Sequence, residues 1–387
     1  GEPSVAGGYR HTSVAGFFAR LNWNYKDRYM LEANGRYDGS SRFIGDKRWG
    51  FFPSLSVGWR VMEESFMEPL RDYIPEFKIR GSIGTVGNQN IDPYQFVPSM
   101  ESEKSKWLDN NTQPITLKQP GLVSGNFTWE TVRTLNLGFD ISALKNRLSA
   151  NFDLFRRDTK DMLMASKDLP NVYGASSPKT NAANLRTKGW EASISWNDSF
   201  NLKGKAFHYS VVLGLADNTT KVTKYNNDNK TLGTPYEGQQ LGEIWGYVVD
   251  GLFKTDEEAE NYPVNQSYVN NILNISVKSQ GLHAGDVKYV DLDGDNIISP
   301  TLSANDVKDQ KVIGNSLPRY TYSVRLAADW NGIDFSALLQ GVGRQHWYPN
   351  GETSLFWGPY ARPYCTFIPK DFLTDVWSED NPDAYFP

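Results

Sequence analysis

The sequence lacks the residues and runs that define several common classes of protein. Its single cysteine, Cys365, excludes an intrachain disulfide framework and a zinc site built from cysteines. No window holds the roughly 18 consecutive apolar residues of a membrane-spanning helix, which excludes a helical membrane protein. The first ten residues, GEPSVAGGYR, have neither a basic region nor an apolar core. We therefore expect no signal peptide, and a chain that is mature or, as we favour, truncated.

Positive charge and catalytic motifs are also scarce. A formal net charge of -5 and a pI near 5.6 argue against a nucleic-acid partner, which requires a basic face. The 4 histidines are isolated, and no Gly-x-Ser-x-Gly elbow is present. The glycine-rich run at 81–88 lacks the G-x-G-x-x-G spacing and precedes no helix start, so we read it as a strand end. We predict no enzymatic activity.

Aromatic residues and period-two alternation are abundant instead. Aromatic residues make up 13% of the chain, and they favour strands and membrane interfaces. Residues 29–61 form two arms around a glycine-rich loop, and each arm sets an apolar or small face opposite a polar or charged one. Ten such stretches predict strands: residues 13–25, 29–38, 52–61, 77–84, 134–141, 148–156, 190–197, 207–217, 320–329 and 333–339.

Short and long connections between these strands alternate. Residues 26–28 and 330–332 are tight turns, whereas 85–127 and 218–318 are long; the compact link at 62–76, which we expect to be helical, is the one oversized short connection. Outer-membrane barrels combine short periplasmic turns with long extracellular loops. The sequence therefore predicts an all-β fold over residues 1–387, an antiparallel up-and-down transmembrane β-barrel, with 218–318 as a large extracellular loop region. The alternative is a soluble β-protein that buries its apolar face against a second sheet.

The strongest local motif, DLDGDNII at residues 291–298, lies in that loop region. The carboxylates of Asp291, Asp293 and Asp295 stand at positions 1, 3 and 5, from which they converge on a hard cation, and the Ile297 carbonyl adds an oxygen. No acid stands at position 12, so Asp306 and Asp309 are the candidates to close the site. The motif predicts a structural Ca²⁺ site; the alternative is an acidic, solvated turn.

Several aromatic side chains lie in or beside the long loops, where flat rings can stack on sugars or peptides. The candidate substrate-binding residues are Trp49, Trp107, Trp347, Trp357 and Tyr360. For each of them the alternative is a place in the aromatic girdle of a membrane barrel, or in loop packing.

A series of motifs in order along the chain resembles the SusC/RagA family of TonB-dependent outer-membrane transporters. The first are DGSSRF at 38–43, RWGFFPSLSVGWR at 48–60 and KIRGSIGTVGNQNIDPYQF at 78–96. WETVRTLNLGFDIS at 129–142, NFDLFRRDTKDML at 151–163 and LRTKGWEASISW at 185–196 follow. The last are GEIWGYVVDGLF at 242–253, and GDVKYVDLDGDNI with KVIGNSLPRYTYS within 285–323.

The resemblance implies a barrel of about 22 strands in the outer membrane of a Gram-negative bacterium, closed by an N-terminal plug that couples to TonB. It also implies a SusD-like surface lipoprotein as partner, contact with outer-membrane lipid, and an oligosaccharide or peptide substrate. Asp306 and Asp309 look like the family's second acidic cluster, displaced by an insertion. The plug and the closing strands have no counterpart in the sequence, so we expect an incomplete barrel segment of about ten strands.

These observations predict TonB-dependent uptake of glycan or peptide oligomers, with the protein acting as the SusC-like partner of a SusD-like lipoprotein. One alternative is a passive porin-like channel. The other is a soluble, calcium-stabilised carbohydrate-binding β-protein, which predicts that Leu135, Leu137 and Phe139 face a protein core.

Overall fold

A computed structural model describes residues 7, 9–100, 102–118, 120–123, 127–165, 172, 178–272, 281–349 and 370–387. The chain divides into two units, one of Gly1–Asn226 with Arg319–Gly343 and one of Asn227–Pro318 with Arg344–Pro387. None of the helices in the described ranges is both long enough and apolar enough to cross a membrane.

Strands dominate the described residues. In chain order they are β1 (Val14–Tyr25), β2 (Tyr29–Ser40), β3 (Trp49–Arg60), β4 (Glu76–Asn88), β5 (Ser102–Lys104), β6 (Ile115–Leu117), β7 (Glu130–Ala143), β8 (Leu148–Ala165), β9 (Lys179–Leu202), β10 (Lys205–Lys224), β11 (Glu243–Tyr247), β12 (Val249–Leu252), β13 (Val287–Tyr289), β14 (Gln310–Asn315), β15 (Arg319–Trp330) and β16 (Ile333–Arg344). The 3-10 helices are Gly45–Arg48, Val61–Glu63 and Ser65–Leu70, and the α-helices are α1 (Asp256–Glu260), α2 (Ser267–Ile272) and α3 (Phe372–Asp375).

The first unit is built on one 10-stranded antiparallel sheet in the order β1-β2-β3-β4-β7-β8-β9-β10-β15-β16. Each long strand pairs with the next long strand along the chain, which confirms the predicted up-and-down topology. All ten predicted stretches lie within these strands or overlap them closely. The predicted helical link at 62–76 overlaps the 3-10 helix Val61–Glu63 and contains the 3-10 helix Ser65–Leu70.

The tight turns of the sheet have the backbone that hairpins require. Asn331 and Gly332 join β15 to β16 with φ of 48° and 84°, and Lys203 and Gly204 join β9 to β10 with φ of 52° and 79°. Two successive residues with positive φ make a type I′ turn, whose twist matches the twist of the flanking strands. Asn-Gly is the favoured pair for this turn, so the sequence itself places the β15–β16 hairpin.

The apolar residues of neighbouring strands share one face of the sheet. The register aligns Gly81 with Leu137, Leu137 with Leu154, and Leu154 with Trp190 across β4, β7, β8 and β9. Leu135, Leu137 and Phe139 are 52%, 56% and 39% exposed, so they pack into no protein core. The soluble alternative predicted the opposite. This surface is called the apolar face below, and the other side of the sheet the polar face.

Aromatic rings mark both ends of the apolar face. On β3 it runs from Trp49 to Trp59, which at ~3.3 Å per residue and ~40° of strand tilt is roughly 25 Å, the height of the apolar band of a membrane barrel. Trp49 lies at the end that carries the long loops and stacks on Tyr37 with ring centroids 4.9 Å apart. Trp59 lies at the short-turn end, where its register partner is Tyr29.

An aromatic cluster packs under the long loops of the first unit. It comprises Phe43, Phe52, Ile91, Phe127 and Trp129, each at most 7% exposed. The Trp129 ring lies 5.0 Å from the Phe43 ring and 5.4 Å from the Phe52 ring, and its Nε1 donates to the Arg48 carbonyl over 3.0 Å. The cluster thereby fixes the segment between β2 and β3 against the segments that flank β4 and β7.

The second unit has its own short strands and a small core. β11 pairs with β14 and β12 pairs with β13, both antiparallel. Phe253 and Ile298 are fully buried, and Gln266, which is 3% exposed, donates to the Val287 carbonyl and accepts from the Tyr289 amide. Most of the predicted loop 218–318 is therefore folded structure, and β10 continues to Lys224 rather than ending at residue 217. Its extracellular position stays a prediction.

Candidate functional site

The aspartate-rich loop brings three carboxylates together. Oxygens of Asp291, Asp293 and Asp309 all lie within 4.8 Å of one another. Gly294 and Asn296 make the sharp turn, with φ of 80° and 63°. Both residue types tolerate this left-handed backbone, so the sequence can turn here at little cost.

Asp309 is the anchor of this arrangement. It is fully buried, and its two carboxylate oxygens accept the amides of Leu292 at 2.8 Å and Ser299 at 2.7 Å. These bonds tie the start of the aspartate-rich loop to its end. A buried carboxylate needs such partners because leaving it unpaired away from water is costly.

The Asp291 carboxylate is organised by the loop backbone. It accepts the amides of Gly294 and Asn296, each at 2.7 Å. Burial disfavours its charged form, but these amide hydrogen bonds outweigh burial and hold the pKa of Asp291 below its usual value. The carboxylate therefore stays ionised at neutral pH, as a metal ligand must be.

Two other predicted ligands, Asp295 and Asp306, lie outside this cluster. Asp295 accepts the Ile297 amide at 2.8 Å and contributes no oxygen to the three-carboxylate group. Asp306 is an exposed residue whose carboxylate lies 3.9 Å from the Lys308 ammonium. Of the two candidates to close the site, Asp309 is the one whose carboxylate lies beside those of Asp291 and Asp293.

Lys308 is a neighbour that the sequence reading missed. Its Nζ lies 3.2 Å from an Asp293 oxygen. This hydrogen bond, together with the charge of Asp306, raises the pKa of Lys308. The ammonium partly neutralises the cluster and would have to move aside if a cation took the Asp293 oxygen.

The polar face carries an ion-pair network that crosses three strands. Arg80 on β4 reaches Asp153 on β8 with two hydrogen bonds of 2.5 Å and also bonds Asp140 on β7 at 3.1 Å. Between them on β7 stands Gly138, which is in register with both Arg80 and Asp153. A Cβ at Gly138 would lie 2.6 Å from Asp153 Oδ1 and 2.9 Å from Arg80 Cζ, so only glycine leaves room for the bridge. The sequence reading missed this network because it depends on strand register.

The predicted aromatic contacts fall in different places. Trp49 lies on the apolar face between Tyr37 and Phe17, which favours the girdle interpretation for this residue. Trp107 and Trp347 are 58% and 69% exposed. Trp357 and Tyr360, like Cys365, lie outside the described residues.

The fold and its faces define a class of protein. An up-and-down antiparallel sheet with an uncovered apolar band between aromatic rings, and a charged opposite face, is the architecture of a transmembrane outer-membrane β-barrel. The family model for TonB dependent receptor-like β-barrels matches residues 2–367. The chain belongs to this family of TonB-dependent receptors, with the SusC/RagA type as its relatives, and its place is the outer membrane of Gram-negative bacteria.

Comparison with individual proteins agrees with this assignment. The chain is 28% identical over 404 residues to TonB-dependent receptor P26 of Formosa agariphila, covering 98% of this chain and 36% of the relative. It is 31% identical over 218 residues to TonB-dependent receptor SusC of Bacteroides thetaiotaomicron, covering 56% of this chain and 21% of SusC. The chain spans about a third of the length of the first curated relatives that it matches (36% and 32%).

A solved structure shares the fold. The RagAB peptide importer in its open-open state superposes with a TM-score of 0.65 at 19% identity, over 86% of this chain and 32% of the RagAB chain. The relatives compared here are named as receptors or importers, which agrees with the prediction of a non-enzymatic protein.

Proposed function

We propose that the protein containing this chain imports glycan or peptide oligomers through the outer membrane, driven by TonB and partnered by a SusD-like surface lipoprotein. The observation that carries the proposal is the family match over residues 2–367. The fold likeness to the RagAB peptide importer supports a peptide substrate, and the resemblance to the SusC/RagA family supports the lipoprotein partnership. The charged polar face supplies a hydrophilic lumen wall for such a solute.

Deletion of the natural gene tests this function. We expect the deletion strain to lose growth on one oligomer class, either casein peptides or maltooligosaccharides, while growth on free amino acids and glucose is unchanged. We expect the affinity-tagged natural gene product, purified from outer membranes, to bring down a lipoprotein in near-equal amount.

A tonB deletion is the matched control. It should cause the same growth defect, because uptake against a gradient needs energy from the inner membrane. Normal growth of the tonB deletion on the affected oligomer would favour the passive-channel alternative. Purification without any lipoprotein would contradict the proposed partnership.

We further propose that the aspartate-rich loop binds a structural Ca²⁺ ion through Asp291, Asp293 and Asp309. Three carboxylates within 4.8 Å of one another are a hard-oxygen donor set, which Ca²⁺ prefers. Asp291 and Asp309 are already oriented by backbone amides, so few side chains need to be ordered upon binding. The ion would stiffen the loop and take no part in chemistry. Asp295 and Asp306 lie outside this three-carboxylate group, and a contribution from the Ile297 carbonyl stays a prediction.

A further inference from the structure

The apolar face changes from apolar to basic toward the long-loop ends of four central strands. Beyond Leu135, Leu154 and Trp190, the residues on the same face are charged. We call this group the basic patch: Arg133 on β7, Arg156 and Asp158 on β8, Arg186 and Lys188 on β9, and Lys221 on β10.

The strand register places these side chains on one surface. Arg156 is in register with Leu135 on one side and Lys188 on the other, directly beyond the row that contains Leu154. The next row aligns Arg133, Asp158, Arg186 and Lys221. Residues paired across antiparallel strands point to the same side of the sheet, so the basic patch continues the apolar face.

Positive charge in the basic patch is in excess. The one carboxylate, Asp158, is occupied by Arg186 at 2.6 Å and by Arg156 at 2.8 Å, and it is 15% exposed. Arg133, Lys188 and Lys221 are exposed. Asp217 on the same face is engaged by Arg319 with two hydrogen bonds of 2.5 Å. The surface offered to solvent is therefore cationic.

The height of the basic patch identifies its environment. The basic patch lies toward the ends of β8, β9 and β10 that lead into the long connections, residues 166–178 and 225–318. Long connections of bacterial outer-membrane barrels face the cell exterior. The basic patch thus borders the outer edge of the lipid-facing band, where the headgroups of the outer leaflet lie.

We infer that the basic patch binds the phosphate groups of the phosphorylated glycolipid that forms the outer leaflet. Guanidinium groups bond phosphate oxygens in bidentate fashion, and ammonium groups add charge. Acyl chains of the same lipid would lie on Leu135, Leu154 and Trp190, so one ligand satisfies both halves of the surface. A soluble anion would gain nothing from these apolar neighbours. The inference requires the outer-membrane location but not a particular imported solute.

Native mass spectrometry of the detergent-purified natural gene product tests the inference. Phosphorylated lipid A is titrated against the wild type and the triple variant R133Q/K188Q/K221Q, which spares the Arg156–Asp158–Arg186 ion pairs. We expect the triple variant to bind roughly 10- to 100-fold more weakly, because each lost cation removes an attraction to the anionic headgroup. The matched control, K145Q/K203Q/K205Q, removes three lysines at the short-turn end and should bind like the wild type.

Two further probes separate lipid from phosphate alone. Dephosphorylated lipid A should bind the wild type as weakly as phosphorylated lipid A binds the triple variant. Inorganic phosphate should not compete at equal concentration, because it lacks the acyl chains. Equal binding of both lipid forms, or equal losses in the triple variant and its control, would overturn the inference.

Discussion

Replacing Leu137 by arginine is expected to destabilise the natural gene product in a bilayer by about 2–4 kcal/mol. Leu137 lies in the middle of the apolar face, 56% exposed, with Gly81 and Leu154 beside it in register. If that exposed surface contacts lipid, an arginine there must pull water and headgroups toward the bilayer centre or unfold its strand. Urea unfolding in phosphatidylcholine vesicles, followed by tryptophan fluorescence, measures the change in free energy.

The matched control is the same substitution on the polar face. Ser82 is exposed on β4, and its register partner on β7 is Asn136, the residue before Leu137. Ser82→Arg places the same side chain in an aqueous lumen and is expected to change the unfolding free energy by less than about 1 kcal/mol. Equal losses of unfolding free energy in the two variants would mean that both faces of the sheet contact the same kind of solvent.

Asp309→Ala is expected to cost about 2–6 kcal/mol of local stability in the aspartate-rich loop, the sum for two lost hydrogen bonds. The substitution removes the acceptor of the Leu292 and Ser299 amides, and each donor left without a partner costs about 1–3 kcal/mol. Hydrogen exchange of these two amides, measured without calcium, reports the cost of the two lost hydrogen bonds separately from any effect on calcium binding.

The same residue tests the calcium proposal through Asp309→Asn, which keeps the shape and one oxygen. Calorimetric titration of the wild type should give a dissociation constant of about 10⁻⁴–10⁻³ M, the range of extracellular calcium modules. Asp309→Asn should weaken binding roughly 100-fold. Asp295→Asn removes a charge two residues beyond Asp293 but outside the cluster, and should have a smaller effect. A wild type that takes up no Ca²⁺ in the millimolar range would leave the loop as an amide-capped turn and end the calcium proposal.

The pH dependence of calcium retention follows from Asp291. Its folded-state pKa lies below the usual value, so its contribution to stability is complete above that usual value and is lost as pH falls through the folded-state pKa. Protonation should therefore remove Asp291 as a ligand only in acid, below its ordinary pKa, and calorimetric titration with Ca²⁺ at stepwise lower pH measures the loss of affinity.

The period-two alternation of apolar residues predicted the strands well within the apolar band that contacts lipid. It predicted them poorly where the strands extend beyond that band. For β9 it gave 190–197, whereas the strand spans Lys179–Leu202. The missing part contains Arg186 and Lys188, which lie on the apolar face but above its apolar band. A pattern of apolar residues cannot follow a strand after it leaves the membrane. For β3 the predicted stretch began at residue 52, and Trp49 was placed in or beside a loop. The strand in fact begins at Trp49.

The candidate site was predictable only in its local part. The DLDGD motif predicts the turn, and Asn296 adopts a left-handed backbone that asparagine tolerates. Whether Asp306 or Asp309 joins Asp291 depends on how residues 299–309 fold, which no local spacing encodes. The bridge over Gly138 and the basic patch depend on register across several strands, and register emerges only when all strands pair at once.

Alternate residues of this sheet are expected to face lipid and an aqueous lumen in the outer membrane. Nitroxide labels at single cysteines on β7, in the natural gene product with Cys365 and every other native cysteine replaced by alanine, measure this in native membranes. Labels at 135, 137 and 139 should be accessible to oxygen and shielded from a water-soluble nickel complex, and labels at 134 and 136 should show the reverse. Uniform accessibility along the strand, or the opposite alternation, would contradict the assignment of the apolar face to lipid and the polar face to the lumen.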